Sequence, residues 1–211
     1  MAVLILRGIK MKADRLRELK SRIKAAKSAL RFFSDIKSVR SMNNPFAFPS
    51  KEEKKRFYAT RNCAPNDVIH DFHKTATIGR GNCDEKARMC YASLATNPRL
   101  HKCYVTICSA IDYDHVFVVI SDEPIQGPTA FSNLGKNAMV VDGWTEDWYF
   151  PNISSFDTTV NGINHVPNPR QIVVRSRTVG HLFQPTETPV YVESINGELN
   201  MDEIGEVDWG F

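Results

Sequence analysis

The sequence lacks what a disulfide scaffold needs: its five cysteines are an odd number with no C-x-x-C pair in 211 residues, and a chain of this length can hold a core without covalent staples. A reducing, cytoplasmic setting is therefore expected, and each cysteine has to be explained singly, as a small apolar filler or as a reactive thiol. Long apolar runs are missing too. The longest near the start is Ala2 to Leu6, far short of the ~20 residues of a membrane span or the ~7–15 of a signal-peptide core, so neither a span nor Sec export is expected. Internal repeats and low-complexity tracts are absent as well, which excludes solenoid and fibrous classes. What the chain does have is 42% hydrophobic and 10% aromatic content, enough to bury the core of one ordinary domain.

Charge is unevenly spread. Residues 1–40 hold 12 Lys and Arg against 3 Asp and Glu, a net +9, while the remainder holds 15 against 21, a net −6. The expected division is a basic helical arm, 1–40, and a catalytic domain, 41–211. From Met11 to about Lys37 there is no Gly or Pro, and Leu16, Leu19, Ile23, Ala26, Leu30 and Phe33 recur at alternating steps of three and four, the stripe of an amphipathic helix. Laid on the body by that stripe, the helix would leave its Lys and Arg in solvent; a coiled coil would need more heptads. The basic face of residues 11–40 would suit an anionic membrane surface. Nucleic acid fits less well, because no aromatic residue interleaves with the cations before Phe32 and Phe33.

Residues 41–50, with two Asn and two Pro, read as a linker, and 51–60 as a short charged helix. A further helix is expected near 66–74, where His70 and His73 stand three residues apart; two ligands without a third are more often packing or surface residues, and no metal site is expected. Ile78-Gly79-Arg80-Gly81-Asn82 then reads as a tight loop opening a helix from Cys83 to about Thr96, closed by Asn97-Pro98. Asp84 and Glu85 fall in its first turn, where acidic side chains complement the helix dipole. Strands are expected at 102–110, 115–121 and 138–142, with further ones at 171–174 and 189–192, and the acidic stretch 193–208 reads as a flexible end. Helices first and mostly antiparallel strands afterwards make the class α+β.

This pattern puts Cys83 at a helix N-terminus. A thiol attacks an amide only as thiolate, and a free cysteine with a reference pKa of ~8.5 is mostly protonated at neutral pH. Unpaired N–H groups and partial positive charge at the helix start favour the anion, and an adjacent imidazolium favours it more. Asp84 and Glu85 act in the opposite sense, so a histidine is the expected main activator. His115 opens the apolar run Val116 to Ile120, a rigid mouth from which a general base can project. Asp142 ends Met139-Val140-Val141-Asp142; were these strands neighbours, its carboxylate would reach the imidazole and fix its tautomer. Gly81 would leave room for a substrate backbone and permit a positive φ, and Trp144 would line the cleft. The Cys83 N–H is one oxyanion donor by position, with Asn82 first among the side-chain candidates, ahead of Thr77 and Asn66.

Gly81-Asn82-Cys83-Asp84-Glu85 opening a helix, Asp114-His115-Val116-Phe117-Val118-Val119 opening a strand and Val140-Val141-Asp142-Gly143-Trp144 closing one together resemble the transglutaminase-like branch of the papain superfamily. Order and context match, with separations of 32 and 27 residues, over roughly 79–150. The resemblance implies a papain/transglutaminase-like fold, with the nucleophile on a helix packed against a mostly antiparallel sheet. It also implies the chemistry of bacterial effector or toxin enzymes, which include glutamine deamidases and cysteine proteases, and with it delivery into a host cell without a Sec signal. One departure stands out: where such proteins often have Asp-Pro, this chain has Asp142-Gly143.

Other candidates read more blandly. Cys90, Cys103 and Cys108 are expected to be buried fillers, and Cys63 is undecided. His101, His165 and His181 read as surface or structural histidines. Asp147 is the chief rival of Asp142 as orienter, with Asp112, Asp114 and Asp122 behind it, and Trp148, Tyr149 and Phe150 read as core or cleft wall. The expected function is thiol-dependent acyl transfer on protein amides through Cys83, His115 and Asp142, with no metal or organic cofactor required. The alternative is a non-catalytic binding module on the same fold, attached to an anionic surface through its basic helix; acyl transfer to small molecules, as in arylamine acetyltransferases, shares the triad order.

Overall fold

The computed structural model describes residues 2–34, 39, 50–61, 74–111, 114–152 and 182–192. Among the described residues, helices α1 (Ala2–Ser34), α2 (Lys51–Arg61) and α3 (Cys83–Ala95), with residues 74–78 also helical, precede six strands, β1 (Tyr104–Ala110), β2 (Val116–Ser121), β3 (Met139–Asp142), β4 (Asp147–Tyr149), β5 (Phe183–Pro185) and β6 (Val190–Tyr191). All described pairings are antiparallel, in the order β4-β3-β2-β1-β5, with β6 beside the opposite end of β1. The architecture is α+β, helices against an antiparallel sheet.

The strands read as nearly unbroken apolar runs because both faces of the sheet are covered. Side chains alternate across a strand, so Val105, Ile107, Val118, Ile120, Met139, Val141 and Trp148 enter one core, shared with α1 and α3. Cys108, Phe117, Val119, Val140, Tyr149 and Phe183 enter a second core on the other face, closed by Ile125 and Phe131 from the β2–β3 connection.

Helix α1 begins at Ala2, running through Gly8 rather than starting at Met11. Its stripe is buried as the periodicity requires: Leu19, Ala25, Ala26, Ala29, Leu30 and Phe33 join Ala87, Met89, Cys90 and Leu94 of α3 in one cluster. The three alanines let the two helices approach closely. Arg22 also falls on the buried side, where its guanidinium donates to the Asp122 carboxylate and the Asn137 carbonyl, while Arg15 Nε donates to Asn137 Oδ1 at 2.8 Å. Charge-assisted hydrogen bonds offset the desolvation of such a cation, and here they also tie α1 to the β2–β3 connection.

Helix α2 starts with a capping box: Glu53 N–H donates to Ser50 Oγ at 3.1 Å and Ser50 N–H to Glu53 Oε2 at 2.7 Å. The other carboxylate oxygen of Glu53 accepts from Arg80 Nε and Nη2 at 3.1 and 2.9 Å. The Ser50 amide and the Arg80 guanidinium hold the Glu53 carboxyl down at about 2. The strand expected at 189–192 is present as β6; the linker residues 41–49, the segment with His70 and His73, the strand expected at 171–174 and the acidic stretch 193–208 lie outside the described residues. Among the described residues no helix is long and apolar enough to cross a membrane.

Candidate active site

Helix α3 starts at Cys83 because Asn82, in extended conformation, ends the preceding loop as N-cap and Glu85 sits three residues on. Glu85 Oε2 accepts the Asn82 N–H at 2.8 Å, so this acidic side chain is engaged with the cap. The left-handed residue of the loop is Gly79, with φ +65°. Gly81 has another reason to be glycine than the one expected from sequence. A Cβ there would lie 3.0 Å from Glu85 Cβ, 3.2 Å from Thr75 Cγ2 and 3.3 Å from Val39 Cγ1, so the protein's own packing fills the space that a substrate backbone was expected to use. Between the two glycines, the buried Arg80 guanidinium ties the loop to Glu53 of α2. The loop that leads to Cys83 is thus held from α2, from Val39 and from α3 itself.

His115 and Asp142 meet because β2 and β3 are antiparallel neighbours, with Val118 opposite Val141, so the mouth of one strand lies beside the end of the other. His115 Nε2 is 2.9 Å from Asp142 Oδ2, and both side chains are 3% exposed. A carboxylate can only accept, so Nε2 carries the proton and Nδ1 is the ring atom left for the sulfur. The second carboxylate oxygen, Oδ1, accepts the N–H groups of Trp144 and Thr145 at 2.9 and 3.2 Å. The carboxylate is therefore aimed by the turn that follows it.

That turn explains the Asp-Gly sequence. A Cβ on Gly143 would sit 2.9 Å from the Lys86 carbonyl oxygen and 3.1 Å from Cys90 Sγ; only a residue without one lets the end of β3 press against the helix that carries Cys83. The imidazole is flanked by Trp144, edge-on at 5.7 Å, and by Phe117 at 5.9 Å. Trp144 is 38% exposed, whereas Trp148, Tyr149 and Phe150 are buried, so of this aromatic cluster it is Trp144 that reaches both solvent and the His115 ring.

Burial works against a charged His115, but hydrogen bonds to Asp142 and to the Cys83 side chain, with the attraction of both groups, outweigh it and raise the imidazole from 6.5 to about 10. Cys83 itself is half-buried, while Cys90, Cys103 and Cys108 are buried and burial pushes their thiols up. One turn past Cys83, the buried Lys86 ammonium lies 3.2 Å from Glu146 Oε1 and 5.0 Å from the Phe33 ring centre. Nothing in the sequence marks this lysine, which reads as a solvated helix residue; its burial follows from α1 lying over α3.

The structure thus brings Cys83, His115 and Asp142 together. Asp147 stands opposite Asp142 in the β3–β4 register, and its Oδ1 accepts the N–H of Trp148 at 2.8 Å; the carboxylate on His115 is that of Asp142. Asp114 and His101 are exposed, and Asp122 pairs with Arg22. Asn82 is half-buried at the N-cap before Cys83, while Thr77 is exposed. Cys63, Asn66, His70, His73, Asp112, His165 and His181 lie outside the described residues. Among the described residues no group of three His, Cys, Asp or Glu could hold a metal ion. No family model, curated protein or solved structure matches the chain.

Proposed function

We propose that the protein is a thiol-dependent acyl-transfer enzyme acting on protein amides, on a papain/transglutaminase-like arrangement of helix and sheet. The observation that carries this reading is the pairing of His115 Nε2 with Asp142 Oδ2 at 2.9 Å, with the half-buried Cys83 close enough for its side chain to help raise the imidazole. A protonated imidazole held beside a sulfur at a helix start stabilises the thiolate. In the reaction, Sγ adds to the amide carbonyl and the Cys83 N–H faces the developing oxyanion. His115 gives its proton to the departing nitrogen as the C–N bond breaks, leaving a thioester. His115, now neutral, takes a proton from water or an amine, which adds to the thioester and releases the sulfur as thiolate, with His115 again protonated. Asp142 keeps the ring in place throughout and stabilises its charged form.

Iodoacetamide labelling at pH 6 tests the poised thiol: Cys83 should react roughly 10–100-fold faster than an ordinary thiol, and uniform slow labelling would remove the enzyme reading. Incubation with candidate proteins then separates the outcomes of a shared thioester by mass: a gain of about one dalton for deamidation, fragments for cleavage, an adduct for cross-linking.

A further inference from the structure

The buried stripe of α1 leaves a second, charged stripe on its outer side. Arg17, Lys20, Lys24, Lys27 and Arg31 are all exposed and follow one another at steps of three, four, three and four, so they lie in one row along the helix. At 1.5 Å rise per residue the row is about 21 Å long. Between Ala13 and Ser34 the acidic residues are Asp14 and Glu18. Asp14 caps the row at its start, pairing with Arg17 at 3.6 Å, and Glu18 lies off it. Lys27 stands 6.0 Å over the Trp148 ring, which anchors the row's far half to the body.

We propose that this row is a docking surface for an anionic lipid bilayer, engaged at the level of the headgroups. The apolar side of α1 is already committed to the core through Leu19, Ala26, Leu30 and Phe33, so this part of the helix cannot lie in the interface by inserting an apolar face, as free amphipathic helices do. Its attraction has to be electrostatic, and a straight row of cations on a convex rod is complementary to a flat, laterally mobile anionic plane. Two features favour lipid over nucleic acid. No aromatic residue stands in the row to stack on bases. The sequence also runs apolar from Ala2 to Leu6, a composition that a phosphate backbone has no use for and a bilayer interface does. This inference is independent of the acyl-transfer reading.

The test is flotation of the full chain with vesicles of phosphatidylcholine alone and with 30 mol% phosphatidylserine, a composition set by about the anionic density at which juxtamembrane cations act. Binding should require the anionic lipid and should fall steeply as NaCl is raised from roughly one-third to twice physiological ionic strength. Lys20→Gln with Lys24→Gln should lower partitioning by about 25-fold, near fivefold per cation removed, with the iodoacetamide rate of Cys83 unchanged as evidence of an intact fold. Equal binding to neutral vesicles, indifference to salt, or an unaltered double variant overturns the proposal. So does preferential capture by a 20-base-pair duplex, with roughly 10-fold or more excess affinity over the vesicles, which would assign the row to nucleic acid instead.

Discussion

The substitution Gly143→Ala probes how the third member of the relay is placed. The added methyl would meet the Lys86 carbonyl oxygen at 2.9 Å, its carbon at 3.1 Å and Cys90 Sγ at 3.1 Å. Two of these are backbone atoms of a helix interior and cannot swing away, so the turn must move outward by several tenths of an ångström. Overpacking of this kind costs about 1–3 kcal/mol. Asp142 moves with the turn, because its Oδ1 is bonded to the Trp144 and Thr145 amides, and the 2.9 Å contact to His115 lengthens. Misplacement of a catalytic group by ~1 Å can cost about 10²-fold in rate, so the smaller shift here should slow Cys83 alkylation and amide turnover by roughly 10-fold. Urea midpoints give the first quantity and pseudo-first-order labelling at pH 6 the second. Gly127→Ala is the control, since nothing lies within 4 Å of its Cβ position, and it should stay within about 0.5 kcal/mol. Adding Cys90→Ala to Gly143→Ala removes the sulfur contact but not the carbonyl, so it should not restore the rate. Wild-type stability and labelling in Gly143→Ala would refute the close-approach argument.

Asp142→Asn keeps the side-chain shape but removes the charge and the preference for Nε2–H; turnover should fall about 10³–10⁴-fold, and a loss under tenfold in steady-state kinetics would count against Asp142 as orienter. His115 titrates higher in the folded chain, about 10 against 6.5, so its contribution to stability is fully present below pH 6.5 and is lost as pH rises towards 10. In that window the unfolding free energy should decline by up to about 1.4 kcal/mol per pH unit, and His115→Gln should flatten the profile of urea midpoints by about one proton. Leu19→Ala, at a fully buried position of α1, should cost about 2–5 kcal/mol; a cost below 1 kcal/mol in urea melts would mean that α1 does not belong to the cooperative core.

Helix α3 and strands β1 to β3 were legible in the sequence because their signals are local. Gly79 to Asn82 and Asn97-Pro98 bracket the helix, and the strands are short apolar runs between polar turns. Neighbouring antiparallel strands then bring His115 to Asp142 with no further information. Less was legible where position is decided by tertiary packing. Arg22 was expected in solvent with the other cations of its helix, and nothing in the sequence singled out Arg80 or Lys86, yet all three are buried against named partners. β4 was hidden in an aromatic cluster, and β5 is three residues, paired with the end of β1 and bridged through Phe183 to Thr129, with Pro185 tolerated as its last residue. The role of Gly143 depends on the distance between two segments more than fifty residues apart, which no spacing rule contains.

The arrangement of the cysteines has a practical corollary. Three of the four described sulfurs are sealed inside the protein and discouraged from ionising, while Cys83 sits within reach of solvent beside a histidine. Folding alone thereby leaves one of four chemically identical groups accessible and seals the other three. A mild electrophile carrying a reporter would mark the folded protein at Cys83 ahead of the other three, and its denatured form at all of them, so a single reagent would read out conformation as well as chemistry.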